Sequence, residues 1–437
     1  MVKIGSYSDL KGYLMSNPLS GVCWYGPRTA DVSELGGLLS VAGVVSCYGS
    51  GKFFNNVPIL SNDLEGMRRK CSIDDLAGML ARNGKLQNFV RDNNITSILP
   101  YDTTPELEIF CRENNIACLS SSEDLKNKLR DKTEIDNISI EIDLPTIPGV
   151  SGFIENFEYN MAVEKFGLPL FLHFAEGAGG TGNYIVNNAK EFEKIKNEKR
   201  GKRLNIKKYF SGRSCSIDIC VTDTSVICGA LEEMLIGAEP LNSNPTEYVG
   251  SSWFENDYSL VIRKKICDIG IALGGLLRKR GFLGFFHPDF LVEGDDVFLT
   301  ELNMRFGGSC GAYAKAQVTT GKIPLMIVHA ITFQNHGLEF ETDKINKENL
   351  YPLDYALLVL KNNFGKPIRL SHKYGSGIYN IIGDTIQATK RERFGDLKGE
   401  DEVLIMGLPD SESNTVIEEG AFICEVVTRF PISDTKS

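Results

Sequence analysis

The sequence predicts a chain of mixed α/β and α+β class: an N-terminal α/β domain, a central region of strands and helices, and a β-rich end. Three observations carry this. At 437 residues the chain exceeds one ordinary core and calls for two or three domains. Residues 1–120 alternate short apolar runs with helix-like segments, the pattern of an open, mainly parallel sheet. Residues 336–437 instead repeat short runs of β-formers separated by turn residues. The expected domains are therefore 1–120, 121–335 and 336–437.

Composition narrows the function classes. A hydrophobic content of 42% is typical of soluble globular proteins. A formal charge of -10 leaves no basic footprint, which excludes nucleic acid as an expected partner. No stretch approaches the 18 or so apolar residues of a membrane span, and the first residues lack a leader-like apolar region, so no membrane association and a cytoplasmic location are expected. The eleven cysteines are scattered without a Cys-x-x-Cys pair, which predicts reduced, mostly buried thiols.

Taken in order, Val22–Tyr25, Val41–Cys47, Ile95–Pro100 and Ile116–Leu119 are strand-like. Between the last two, Thr104 can cap a helix that opens with Pro105 and Glu106 and repeats Leu107, Phe110 and Cys111 at helical spacing. Ser122 opens a further helical run through Leu129, with Glu123 and Asp124 in its first turn, and Asp131-Lys132 follows. Leu168–Val186 reads as a strand, a glycine-rich turn and a second strand. Gly177, Gly179, Gly180 and Gly182 would let backbone N–H groups approach phosphate oxygens with no Cβ in the way. Ile206–Thr222 is a strand, a Ser-Gly turn and an alternating strand. Tyr258–Arg280 is an amphipathic helix with Leu260, Ile266, Ile269 and Leu273 on one face and Gly281 as its stop. A second helix is expected over Ile323–Phe333, and strands near 355–360, 377–382, 403–406 and 421–428.

Gly281–Gly308 is the most informative stretch. Phe285–Val292 and Val297–Asn303 are rich in aromatic and β-branched residues, and Gly294, Asp295 and Asp296 between them form turns, which predicts a β-hairpin. Period-2 alternation puts Glu301, Asn303 and Arg305 on one side. A three-residue loop of Gly294, Asp295 and Asp296 would pair Glu293 with Val297 and Asp289 with Glu301, their Cβ atoms roughly 5 Å apart. Two carboxylates that close repel unless a cation lies between them. An Mg²⁺ held by carboxylate and amide oxygens while bridging phosphates is the usual solution. Arg305 would then face a transferred phosphate or a carboxylate. A hairpin with one solvated acidic face is the plainer alternative.

Asp289, then Glu301-x-Asn303-x-Arg305 twelve positions on, then Gly307-Gly308, resembles the metal-binding end of the ATP-grasp superfamily of carboxylate-amine or carboxylate-thiol ligases. The resemblance covers roughly Lys132 to Val318, with its specific motifs at the hairpin. It implies an ATP-grasp fold, in which a two-lobed nucleotide-binding region follows the α/β domain. It further implies Asp289, Glu301 and Asn303 as ligands of Mg²⁺, with Mn²⁺ as a substitute, and Arg305 as the catalytic cation on the reacting phosphate. ATP, a co-substrate, would contact Lys132, His173, the glycines at 177, 179, 180 and 182, the hinge residues Lys208, Tyr209 and Phe210, and Leu291 on the hairpin. Three positions depart from the family pattern: His173 replaces a lysine, and Lys207 and Ser214 replace acidic residues, so that Glu232 or Glu233 would have to serve the adenine or ribose.

The implied activity is ATP-dependent ligation of a carboxylate, an amino acid or small peptide, to an amine through an acyl phosphate, releasing ADP and phosphate. Small-molecule carboxylates and amines are the expected partners, and a homodimer is compatible. Two other readings stay open: a catalytically silent nucleotide- or metabolite-binding module, motivated by His173, Lys207 and Ser214, and a carboxylase-type ligase.

Overall fold

The computed structural model describes residues 2–35, 37–49, 56–61, 66–71, 76, 84–131, 134–174, 182–238, 241, 244–255, 258–334, 337–370, 374–409 and 415–432. Its first layer is a five-stranded parallel sheet in the order Ile59–Ser61, Val41–Tyr48, Val22–Arg28, Ser97–Pro100, Ala117–Cys118. Val22, Cys23, Trp24 and Tyr25 are all fully buried, as a parallel strand covered on both faces requires. The helix Pro105–Glu113 begins as its signals predict, with Thr104 Oγ1 accepting from Leu107 N at 3.2 Å. Ser122 caps Glu123–Leu129 in the same way.

The second layer is a four-stranded antiparallel sheet, ordered Asn183–Val186, Leu170–Phe174, Arg203–Lys208, Gly149–Phe153. Leu170, Leu172, Phe174, Leu204 and Ile206 point to one face and pack on the helices Tyr159–Phe166 and Ala189–Glu198. Alternation therefore leaves His173, Asn205 and Lys207 together on the other face.

The third layer is a ten-stranded sheet. It starts with the hairpin strands Asp296–Asn303 and Gly284–Glu293 and continues through Arg213–Val221, Val226–Ile236 and Tyr248–Ser252. Without a break it then takes in the C-terminal strands Ala356–Lys361, Phe422–Thr428, Glu402–Met406, Gly377–Ile382 and Thr385–Ala388. The helix Leu260–Lys279 covers one face with Ile262, Ile266, Ile269, Leu273 and Leu277. Gly270 and Gly274 bring it close: a Cβ at 270 would meet Ile219 Cδ1 at 2.8 Å, and one at 274 would meet Val226 Cγ1 at 2.5 Å. Helices Cys310–Thr319 and Leu325–Gln334 share the core on the opposite face with Cys220, Ile227 and Phe285. All eleven cysteines are free and nine are buried. Among the described residues, no helix is long and apolar enough to cross a membrane.

Candidate active site

The expected three-residue hairpin loop is corrected by the structure. Glu293 pairs with Asp296 and Val292 with Val297, so Gly294-Asp295 is a two-residue loop, and Gly294 at φ 60 supplies its left-handed residue. On its own this register would have slipped Glu301 past Asp289. A β-bulge between Asp289 and Phe290 restores the pairing: Thr300 is the extra residue, its Oγ1 donating to Asp289 O at 3.0 Å, and Asp289 lies opposite Glu301.

Three rungs of side chains then cross one face of the sheet. Ser214, Leu291 and Phe298 form the first, Glu232, Ser216, Asp289 and Glu301 the second, and Asp218, His287 and Asn303 the third. Buried Leu302, Met304 and Phe306 alternate with half-buried Glu301, Asn303 and Arg305, so these three share the open side. Asn303 Nδ2 donates to Asp289 Oδ2 at 3.2 Å, and Arg305 Nη2 donates to Asn303 Oδ1 at 3.1 Å. The hairpin thus gathers Asp289, Glu301, Asn303 and Arg305 into one constellation.

Its electrostatics favour a cation. Burial raises the pKa of Asp289, and Glu301 adds to the rise against the pull of His287 and Arg305. Glu232, 3% exposed, is likewise raised by burial. Burial would push His287 down. Its Nδ1 lies 2.7 Å from Asp218 Oδ1, however, and with Glu232 and Asp289 nearby its pKa is pushed up to about 9. Asp289 Oδ1 is buried without a hydrogen-bond partner, 3.6 Å from His287 Nε2. A carboxylate oxygen that accepts no hydrogen bond, beside a second carboxylate and an amide oxygen, fits Mg²⁺, which binds few protein ligands and takes the rest from phosphate and water. Among the described residues no group of three His, Cys, Asp or Glu side chains could hold a metal by itself.

Arg305 also has a partner in the N-terminal domain. Its Nη1 donates to Tyr101 Oη and to Phe306 O, each at 2.9 Å, and its guanidinium carbon lies 5.5 Å from the Tyr101 ring centroid. Arg28, also from that domain, donates to Gly308 O at 2.7 Å, just beyond the motif.

The nucleotide-side candidates are placed in part. His173, 8% exposed, pairs with Asn183 and Asn205 on the polar face of the four-stranded sheet. Lys207 lies on that face with Nζ 3.5 Å from Asp136. Lys208, Tyr209 and Phe210 lead from that sheet toward the ten-stranded one. Phe210 packs 5.1 Å from Phe298, which stands opposite Leu291, so the hinge rests on the apolar rung beside the carboxylates. Gly182 O accepts from Phe174 N at 3.0 Å. Lys132, Gly177, Gly179 and Gly180 lie outside the described residues. Glu232 and Glu233 point to opposite faces: Glu232 joins the carboxylate rung, whereas Glu233 accepts from Arg213 Nε at 2.8 Å on the other side.

Asp218, His287, Tyr101 and Arg28 were not singled out from the sequence. The alternation of Ser214, Ser216 and Asp218 is a signal that could have marked the first as a member of the polar face. Tyr101 and Arg28 are distant in sequence from their partners and carry no such local signal.

Residues 131–219 match the family described as carbamoyl-phosphate synthase L chain, ATP binding domain. The chain is 25% identical over 244 residues to the pyruvate carboxylase of Staphylococcus aureus, a match that covers 51% of this chain and 20% of that one. It thus spans about a fifth of that curated relative. Among solved structures, a biotin carboxylase complex from Campylobacter jejuni superimposes with a TM-score of 0.56 at 14% identity, covering 98% of this chain and 86% of that one. The biotin carboxylase domain dimer of Hydrogenobacter thermophilus 2-oxoglutarate carboxylase, solved with MgADP and bicarbonate, gives 0.57 at 13% identity, covering 93% and 85%. At such identities structural likeness speaks for the fold alone, which is the ATP-grasp fold, and residues 131–219 are similar to the matched ATP-binding domain.

Proposed function

We propose that this protein is an ATP-dependent ligase that joins a carboxylate to an amine, with release of ADP and phosphate. The observation that carries it is the constellation at the hairpin, where an Asp289 oxygen that accepts no hydrogen bond stands beside Glu301 and Asn303 with Arg305 next to them. Asp289, Glu301 and Asn303 would hold Mg²⁺ on the nucleotide. When bound, the metal neutralises charge on the phosphates being transferred. Arg305 offers a fixed cation to the moving phosphoryl group or to the carboxylate that receives it. Phe210, Leu291 and Phe298 supply an apolar seat for a base, and backbone groups of Lys208–Phe210 can read its edge. Attack of a substrate carboxylate oxygen on the γ-phosphorus would break the bond to ADP and give an acyl phosphate. An amine then displaces phosphate from the acyl carbon. Exclusion of water protects that intermediate.

An amino acid or small peptide is the carboxylate we favour from the residues. The solved neighbours favour a second reading, in which bicarbonate takes that place, since the Hydrogenobacter domain was solved with bicarbonate. That neighbour is also a dimer, and a homodimer is the assembly we propose here. A screen for ADP release with Mg-ATP, comparing amino-acid pairs with bicarbonate plus amine acceptors, tests the function. Release that depends on a carboxylate and an amine supports it. Tight Mg-ATP binding with no release under any pair would favour a silent binding module instead.

A further inference from the structure

We propose that Tyr101 is a positioning residue for Arg305, so that the N-terminal domain presets the anion-facing cation of the catalytic region. The inference rests on the ligase reading for what the anion is, but its geometry is independent. Tyr101 follows the strand Ser97–Pro100 at the carboxyl edge of the parallel sheet, the edge where open α/β sheets place their ligand contacts. Here that edge meets the hairpin. Tyr101 N donates to Tyr25 O at 2.8 Å, inside its own sheet, while its carbonyl accepts from Phe306 N at 3.1 Å, directly after Arg305. One residue therefore registers the two domains, and its side chain completes the contact by accepting from Arg305 Nη1.

The next two residues fasten the same turn to the segment that precedes Lys132. Asp102 is ion-paired with Lys126 and, at 3.0 Å, with Arg130, and Thr103 Oγ1 donates to Glu123 at 2.8 Å. Tyr101 thus sits in a turn held from three sides rather than in a free loop.

The chemistry of Arg305's partners shows what the arrangement is for. Tyr101 Oη, Asn303 Oδ1 and Phe306 O are all neutral acceptors, and together they engage three of the five guanidinium N–H bonds. Asp102, Glu301 and Asp289 are near enough to raise the pKa of Arg305, but among the described residues no carboxylate is recorded in direct ion-pair contact with it. A carboxylate at position 101 would orient the guanidinium equally well but cancel its charge. A phenol orients it and leaves the charge for an incoming anion, with the ring face adding a cation–π contact. Burial raises the Tyr101 phenol to about 12, against the pull of Arg305, so it remains neutral at working pH.

The test separates anion binding from nucleotide binding. Orthovanadate, as a phosphate mimic, is titrated calorimetrically into the full chain with and without Mg-ADP, for the parent, Tyr101→Phe, Arg305→Ala and the double variant. Tyr101→Phe keeps the ring, and its thermal melt checks the fold. We expect vanadate to bind the parent, to bind Tyr101→Phe at least tenfold more weakly, and to bind the double variant no more weakly than Arg305→Ala, with Mg-ADP affinity unchanged within twofold throughout. Parent-like vanadate binding by Tyr101→Phe overturns the proposal. So does equal weakening of vanadate and Mg-ADP, which a general structural role would give, and so does a parent that takes no vanadate in either condition. A parent that binds no Mg-ADP refutes the ligase reading instead, and the role of Tyr101 is then decided by the titrations without nucleotide.

Discussion

Asp289 stands directly across the hairpin from Glu301, and it does so because Thr300 is bulged out of the second strand after a two-residue turn. Bulge and turn together set two carboxylates of opposite strands on one face, with Asp289 Oδ1 accepting no hydrogen bond and His287 Nε2 3.6 Å away. If that oxygen serves a metal, Glu301→Ala and Asp289→Asn should each weaken Mn²⁺ or Mg²⁺ binding to the ADP complex at least about tenfold, no less than loss of an outer-shell partner costs. ADP release should fall with it while the melting curve keeps its shape. Metal titration calorimetry checks this, and near-parental affinity in Glu301→Ala would remove the hairpin from the metal site.

His173 stands where the resemblance puts a lysine, on the polar face of the four-stranded sheet beside Asn205. A fixed charge in contact with phosphate is worth about 1.5 to 3 kcal/mol where desolvated, or roughly ten- to a hundredfold in affinity. His173→Lys should therefore bind Mg-ATP at pH 8 at least as tightly as the parent, and His173→Ala less tightly. Equal dissociation constants for all three proteins would place His173 outside the nucleotide site.

Much of this site was legible in the sequence because it is local. Period-2 alternation put Glu301, Asn303 and Arg305 on one side, and the turn residues located the hairpin. The loop is one residue shorter than composition predicts because Asp296, a turn former, pairs with Glu293, and the bulge at Thr300 restores the Asp289 pairing. Alternation also found the C-terminal strands. It could not show that they extend the hairpin's sheet through Ala356–Lys361, since strand partners depend on the whole fold. For the same reason the contact of Tyr101 with Arg305, 204 positions apart, leaves no periodic trace.

Packing gives a prediction independent of function. In the helix Leu260–Lys279, a Cβ at Gly274 meets Val226 at 2.5 Å, whereas one at Gly275 meets nothing within 4 Å. Gly274→Ala should destabilise by about 1 to 3 kcal/mol through overpacking. Gly275→Ala should stabilise by about 0.5 to 1 kcal/mol through helix propensity. Denaturant midpoints of the two variants should move in opposite directions from the parent. Equal shifts would contradict the close helix–sheet contact.

The C-terminal region carries an acid-sensitive pair. Arg391 donates to Glu402, whose carboxylate also accepts from Lys398 N and Gly399 N at 3.2 Å each. The Arg391 bond leads these contacts in holding its pKa at about 2 instead of 4.5. A depressed carboxyl contributes stability above its unfolded pKa and loses it as pH falls through the folded one. Glu402→Gln should melt lower than the parent at pH 7, and the gap should close between about pH 4.5 and pH 2. A gap that stays constant over that range would show that the charge contributes nothing.

The role we propose for Asp289, Glu301, Asn303 and Arg305 is to direct phosphoryl transfer to a carboxylate. Isotope transfer tests it most directly: the protein is incubated with Mg-ATP, an amine mixture and carboxylates labelled with ¹⁸O, bicarbonate among them, and the released phosphate is analysed by mass. Phosphate should appear only with a carboxylate present, carry one ¹⁸O atom from it, and disappear in Glu301→Ala. ADP release with unlabelled phosphate, or labelled phosphate that persists in Glu301→Ala, would contradict it.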